Sequence, residues 1–181
     1  SALALTTGGR PRRLETGDSE RAEHAANFHY LRTIDDVMRL RGRFRPGKRI
    51  VIIGGGYVGL ETASVAVTRG LETTVLEALP RVLARVTAPE VSSFYEQIHR
   101  EAGVDLRTGT GVVGFEFDSS GEMINAVRCS NGEILPADIV VAGIGLVPKT
   151  ELAESAGLLV DARGIVVDEY TRTSDPHIVA A

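Results

Sequence analysis

Apolar positions fall into distinct spacings along the chain, and each spacing predicts a different kind of element. Arg49-Ile50-Val51-Ile52-Ile53 and Asp138-Ile139-Val140-Val141-Ala142 are β-branched runs without alternation, which suits strands buried on both faces of a parallel sheet. Residues 57–69 are apolar nearly all round (Val58, Leu60, Ala63, Val65, Ala66, Val67), predicting a buried helix that Gly70 ends. Thr73-Thr74-Val75-Leu76-Glu77 follows as the strand completing a βαβ unit. Val91, Phe94, Tyr95, Ile98 and Ala102 then take helical spacing up to Gly103, behind Thr87-Ala88-Pro89-Glu90, which reads as a capping box with Pro in the first turn. His99 lies at the border of that stripe and reads as a surface or half-buried side chain. Thr33 is positioned to cap a helix over 34–42, with Asp35 and Asp36 favouring its dipole.

From Val112 the period shortens. Residues 112–117, 124–129 and 133–135 read as strands joined by Ser120-Gly121 and Asn131-Gly132 turns, an antiparallel meander. Leu3-Ala4-Leu5 reads as a strand ended by a Gly/Pro turn, and 164–167 and 178–181 are two further strand-like pieces. Residues 12–26 are charged, lack periodicity and read as a surface loop. The fold class expected is α/β: a Rossmann-like parallel sheet with helices on both faces and an antiparallel β-meander.

Composition narrows the picture in a few places. At 181 residues the chain holds one domain, or one domain with pieces of another. A net charge of −4 argues against a nucleic-acid footprint. Two arginine groups, Arg10/Arg12/Arg13 and Arg39/Arg41/Arg43, read either as solvated surface or as docking points for an acidic partner. Cys129 stands alone, so neither an internal disulfide, a CxxC redox pair nor a four-cysteine zinc site is available. That single cysteine, with no apolar stretch of membrane-spanning length and no export signal, leads to the expectation of a cytoplasmic protein without a membrane partner.

The motif that carries chemistry is Gly54-x-Gly56-x-x-Gly59, set between the first buried strand and the helix. The first glycine permits the tight turn, the second lets backbone approach a pyrophosphate, and the third lets helix and strand pack closely. The anion is expected on the unpaired N–H groups at the helix start, chiefly around Tyr57 and Val58, with Gly55 also among the expected cofactor-binding residues. Glu77, at the end of the next strand, is placed to accept both hydroxyls of an adenine ribose and to repel a 2′-phosphate. No Arg or Lys at 78–80 offsets that repulsion, so NAD is favoured over NADP. Glu61, one turn into the helix, reads either as a contact to a carboxamide or as an acid complementing the dipole. No nucleophile–base pair or metal cluster is apparent, and hydride transfer between cofactors requires neither.

Thr7-Gly8-Gly9-Arg10-Pro11-Arg12, Leu31-Arg32-Thr33, Gly54–Glu61, Arg81-Val82-Leu83-Ala84-Arg85-Val86, Gly143-Ile144-Gly145-Leu146-Val147-Pro148 and Thr173-Ser174-Asp175-Pro176 carry a resemblance over the whole chain. The sequence resembles the FAD-dependent NADH:ferredoxin and rubredoxin reductases, within the pyridine nucleotide-disulfide oxidoreductase superfamily. The resemblance implies Glu61 at the nicotinamide end, Glu77 on the adenine ribose, Arg85 near the adenine half, and Gly143, Ile144 and Gly145 closing over NAD(H). It implies that Thr7, Gly8 and Arg32 line FAD, and that an iron–sulfur protein, ferredoxin or rubredoxin, receives the electrons. Such enzymes carry a first glycine fingerprint for FAD, a Gly-Asp pair after the last strand seen here, and a C-terminal domain. The expectation is therefore an NAD(H) domain at 34–150 between two strips of an FAD domain, 1–33 and 151–181, unable to hold FAD tightly or turn over alone. A disulfide- or peroxide-reducing flavoenzyme and a non-catalytic NAD(H)-responsive module are the competing readings.

Overall fold

The computed structural model describes residues 2–181, which divide into two compact units. One comprises the chain up to Arg12 together with Leu146–Ala181, the other Arg13–Gly145.

The smaller unit opens with β1 (Leu3–Leu5) and β2 (Gly9–Pro11). The Gly/Pro stretch expected as a turn is thus itself a short strand. In the larger unit the elements run α1 (Ser19–His24), β3 (Phe28–Tyr30), α2 (Ile34–Arg41), β4 (Arg49–Ile53), α3 (Tyr57–Thr68), β5 (Glu72–Glu77), α4 (Pro89–Glu101), β6 (Asp105–Thr108), β7 (Val112–Phe117), β8 (Ile124–Cys129), β9 (Ile134–Pro136) and β10 (Ile139–Ala142). The chain then returns to the smaller unit with β11 (Leu146–Pro148), α5 (Glu151–Ser155), β12 (Val160–Asp161), β13 (Gly164–Ile165) and β14 (Ile178–Ala180). There β1 pairs in parallel with β14 and β2 antiparallel with β11, over a small core of Leu5, Ala153, Leu158 and Ala180.

The larger unit is built on a five-stranded parallel sheet in the order β3-β10-β4-β5-β6. Ile50, Ile52, Val75, Ile139 and Val141 point to one face and meet Leu40 of α2 and Leu60, Ala63 and Ala66 of α3. Val51, Ile53, Leu76, Val140 and Ala142 point to the other. That face is covered by Ala22 of α1 and by Phe115 and Val127 of the sheet β7-β8-β9. The β-branched runs therefore lack alternation because both faces are buried.

Several expectations need correction. Residues 12–26 contain a helix, α1, whose Ala22 is fully buried; a charged six-residue helix with one apolar contact leaves no periodicity to read. The segment 13–33 lies in the larger unit, where β3 hydrogen-bonds to β10. Helix α3 buries one face rather than all round, with Gly59, Leu60, Thr62, Ala63 and Ala66 inward and Val58 and Val65 in solvent. Of the apolar stripe of α4, Tyr95 packs on the core but Val91, Phe94 and Ile98 are turned outward, with Phe94 59% exposed, while Ser92 and His99 are buried. His99 is thus a core residue, its Nε2 3.1 Å from the Leu60 carbonyl and its Nδ1 2.8 Å from that of Tyr95. No helix among the described residues is long and apolar enough to cross a membrane.

Candidate nucleotide site

In the sheet order, β4 is where the winding reverses: β5 and β6 extend to one side and β10 to the other. Such a switch point leaves a crevice at the carboxyl ends of the two central strands. The segments leaving β4 and β10 are the two glycine-containing stretches, 54–59 and 143–145.

Each glycine has a separate physical reason. Gly54 takes φ 108°, which disfavours a side chain, and a Cβ there would stand 2.5 Å from the Gly143 carbonyl oxygen. Gly59 lies against the turn itself, where a Cβ would meet the Gly54 carbonyl oxygen at 2.0 Å. Gly55 is hemmed in by Val82 and Glu77. Gly56 differs from all three. Its backbone is extended (φ −82°, ψ −178°), and the nearest atom to a Cβ is the Gly143 oxygen at 3.9 Å. It is the N-cap of α3, yet no side chain caps that helix and no acid lies in its first turn. The N–H groups of Tyr57 and Val58 thus begin a twelve-residue helix whose positive end has been left for another anion.

Glu77, the last residue of β5, is half-buried beside this turn. Its Oε2 accepts the Gly55 N–H at 2.7 Å, and its Oε1 accepts the Leu79 N–H at 2.8 Å. Each oxygen retains a lone pair for a further donor. The loop after β5 folds back over the glycine turn: the Leu83 N–H donates to the Gly55 carbonyl at 2.9 Å, with Leu83 in a left-handed conformation (φ 52°). Arg81 holds that loop from inside, donating to the carbonyls of Thr87 and Ala84, both at 3.0 Å, and to Ser92 Oγ at 2.6 Å. Ser92 in turn donates to the Val82 carbonyl. Thr87 makes no cap; the N-cap of α4 is Ala88, and the Thr87 hydroxyl donates to Leu83 instead. Arg81 and Ser92 are the supporting residues that the sequence reading missed; the Arg-Val-Leu-Ala-Arg-Val segment signalled the first, and nothing signalled the second.

The structure gathers Gly54, Gly55, Gly56, Tyr57, Val58, Gly59, Glu77, Gly143 and Ile144 around one turn. Gly143 donates its N–H to the Ile53 carbonyl at 2.8 Å, and Gly145 follows with φ 108°. Glu61 and Arg85 are exposed, one on α3 and the other in the loop after Arg81. Arg32 is exposed after β3, its backbone N–H donating to Asp36. Thr7 and Gly8 belong to the smaller unit, where Thr7 Oγ1 donates to the Lys149 carbonyl and the Gly8 carbonyl accepts the Lys149 N–H. Cys129 is buried, and burial pushes its thiol upward, away from reactivity. Among the described residues no group of His, Cys, Asp and Glu is placed to hold a metal. Of the two arginine groups, Arg10 pairs with Glu151, Arg13 with Glu23 and Arg39 with Asp36.

The profile of the pyridine nucleotide-disulphide oxidoreductase family matches residues 1–181. The chain is 53% identical to putidaredoxin reductase from Pseudomonas putida over 98% of its own length and 42% of that protein. It is 36% identical to a rubredoxin-NAD(+) reductase from Pseudomonas putida, over 98% of the chain and 44% of the relative. The chain therefore spans less than half the length of these relatives. Among solved structures it superimposes with a TM-score of 0.90 on the covalent putidaredoxin reductase–putidaredoxin complex, at 52% identity, covering 99% of this chain and 43% of that one.

Proposed function

The chain belongs to the pyridine nucleotide-disulphide oxidoreductase family, whose members use FAD and NAD(P)H, and from that premise we propose that it is the NAD(H)-binding part of a ferredoxin- or rubredoxin-reducing flavoprotein. The observation that carries this reading is the pairing of an uncapped, acid-free helix start at Gly56 with the Glu77 carboxylate anchored beside it. The first suits a pyrophosphate and the second a ribose diol, which together are the ADP half of a dinucleotide.

The residues present fit such a group. Gly56 offers open space where the other glycines of the turn meet backbone or side-chain atoms, so backbone N–H groups can reach an anion there. Glu77 would accept the adenine-ribose hydroxyls, and its charge would disfavour a 2′-phosphate, making NAD(H) the preferred coenzyme. Arg85 would approach the adenine half, Glu61 would orient the carboxamide end, and Gly143, Ile144 and Gly145 would close the other side of the crevice. Thr7, Gly8 and Arg32 would meet FAD in the longer protein. Bound together, the two cofactors would supply hydride transfer from NADH to flavin, and single electrons would then pass to an iron–sulfur acceptor. One relative has been crystallised in a covalent complex with putidaredoxin, which supports a protein acceptor of that kind for this chain as well.

Calorimetric titration of the chain with NADH, NADPH and FAD tests the proposal. NADH binding in the micromolar-to-millimolar range, with weaker NADPH, is the expected result. FAD binding more tightly than NADH, or a flavin spectrum surviving desalting, would overturn the assignment of this glycine turn to NAD(H).

A further inference from the structure

The nucleotide crevice lies at the carboxyl ends of the parallel strands; a second concavity of the same unit lies at their amino ends. It is a cleft of about 410 Å³ where Lys48 and Arg49 lead into β4, Asp138 precedes β10 and Asn125 stands in β8. Arg43 and Arg45, from the segment between α2 and β4, form its side. Strand β4 separates it from the glycine turn by five residues, about 16 Å at the rise of an extended strand, so one pyrophosphate cannot occupy both.

The lining of this cleft is predominantly cationic. Four cationic side chains line it against a single carboxylate, in a chain whose net charge is −4. The carboxylate is already engaged: Asp138 Oδ2 accepts the backbone N–H and Nε of Arg49 at 2.9 and 3.0 Å, and Lys48 Nζ lies 3.3 Å from Oδ1. Arg45 donates one N–H to the Phe44 carbonyl, which leaves most of its guanidinium donors unused. Among the described residues no carboxylate lies within ion-pair distance of Arg43 or Arg45. Complementing the C-terminus of α2 accounts for Arg39 and Arg41, which sit in its last turn. It does not account for cations gathered past the helix end into a concave wall.

We propose that this cleft is a second anion site, distinct from the glycine turn, that takes a diphosphate group. Guanidinium forks match phosphate oxygens in a bidentate way, and two of them without a carboxylate call for more than one negative charge. The volume exceeds what a single phosphate fills and lies at the small end of the range for organic ligands. An inorganic diphosphate and a nucleoside diphosphate share this chemistry.

The test is titration of ¹⁵N-labelled chain with inorganic pyrophosphate and, separately, with ADP, each with and without saturating NADH. Backbone amides of residues 43–49 and of Asn125 are expected to shift in either case, and NADH is expected to leave those shifts in place. An Arg43→Gln/Arg45→Gln double variant should weaken pyrophosphate at least tenfold. Asn125→Asp, which places a carboxylate in the cleft without touching either arginine, should weaken it as well. Tighter binding of ADP than of pyrophosphate would assign the nucleoside form; equal binding would assign the inorganic group. Shifts confined to residues 54–59, no shifts at all, or an unchanged affinity in both variants would overturn the proposal. NADH shifts at 54–59 report the dinucleotide reading separately, so either can fail alone.

Discussion

The carboxylate of Glu77 accepts the backbone N–H of Gly55 at 2.7 Å, so the residue proposed to recognise the ribose also shapes the turn proposed to hold the pyrophosphate. Removing it has two effects that a single affinity cannot separate. Loosening the turn weakens NADH and NADPH alike, whereas losing the charge relieves only the 2′-phosphate. Glu77→Ala is therefore expected to weaken NADH tenfold or more and to narrow the NADH-over-NADPH preference at the same time, both read by calorimetry. If both affinities fall in parallel and the ratio is unchanged, Glu77 acts on the turn alone.

Gly56 and Gly59 separate binding from folding. A Cβ at Gly59 would lie 2.0 Å from a backbone oxygen that cannot swing aside, so Gly59→Ala should cost about 1–3 kcal/mol or more in a denaturant melt. At Gly56 the backbone is already extended and the nearest atom is 3.9 Å away, so Gly56→Ala should cost only about 1 kcal/mol, through the lost N-cap preference for glycine. Its methyl would nevertheless stand where a pyrophosphate approaches, and NADH should bind at least tenfold more weakly. Unaltered NADH binding by Gly56→Ala would rule out that approach.

Where a signal is repeated over several residues, the sequence was sufficient. The runs at 50–53 and 139–142 became central strands because nothing else buries four consecutive apolar residues on alternating faces. Gly70 and Gly103 ended α3 and α4 with positive φ, and the meander's turns fell at Gly121 and Gly132. Orientation was not legible where polar side chains decide it. In α4 the apolar residues Val91, Phe94 and Ile98 face outward, because the inward face meets the carbonyls of Val82 and Leu60, which Ser92 and His99 approach. The glycine turn itself could be read from spacing, but Arg81, which braces the loop above it, could not. Its partners Ala84, Thr87 and Ser92 come together only once that loop has folded.

His29 should make the fold acid-sensitive. It is buried on β3 with no hydrogen-bond partner for Nε2 among the described residues. Burial first, then the charges of Arg43 and Arg39, lowers its pKa from 6.5 to about 4, against a smaller opposing effect of Asp36. The unfolded chain therefore takes up this proton first. The contribution is complete above pH 6.5 and is lost as pH falls from there towards 4, by up to about 3 kcal/mol. Asp138, held down to about 2 chiefly by its hydrogen bonds from Arg49, titrates below that window. Urea melts between pH 7 and 4.5 should show the loss, and His29→Phe should flatten it. An equal slope in the variant would place the acid sensitivity elsewhere.

Two threonines precede helices in similar sequence contexts, and only one caps. Thr33 Oγ1 accepts the Asp36 N–H at 3.3 Å while Asp36 Oδ2 accepts the Thr33 N–H at 2.8 Å, a complete reciprocal box at the start of α2. Thr87 instead turns its hydroxyl back to the Leu83 carbonyl at 3.2 Å, and its own carbonyl receives Arg81, a bond that survives loss of the side chain. Thr33→Ala should therefore cost about 1 kcal/mol, the usual worth of an N-cap, with Thr33→Ser restoring most of it. Thr87→Ala should cost about half as much or less, since it forfeits two long hydrogen bonds, to the Leu83 carbonyl and with Ser92 Oγ, and no helix cap. Urea unfolding of the three variants at one pH decides the matter, because a Thr87→Ala loss equal to that of Thr33→Ala would mean that the loop over the glycine turn depends on the hydroxyl rather than on Arg81.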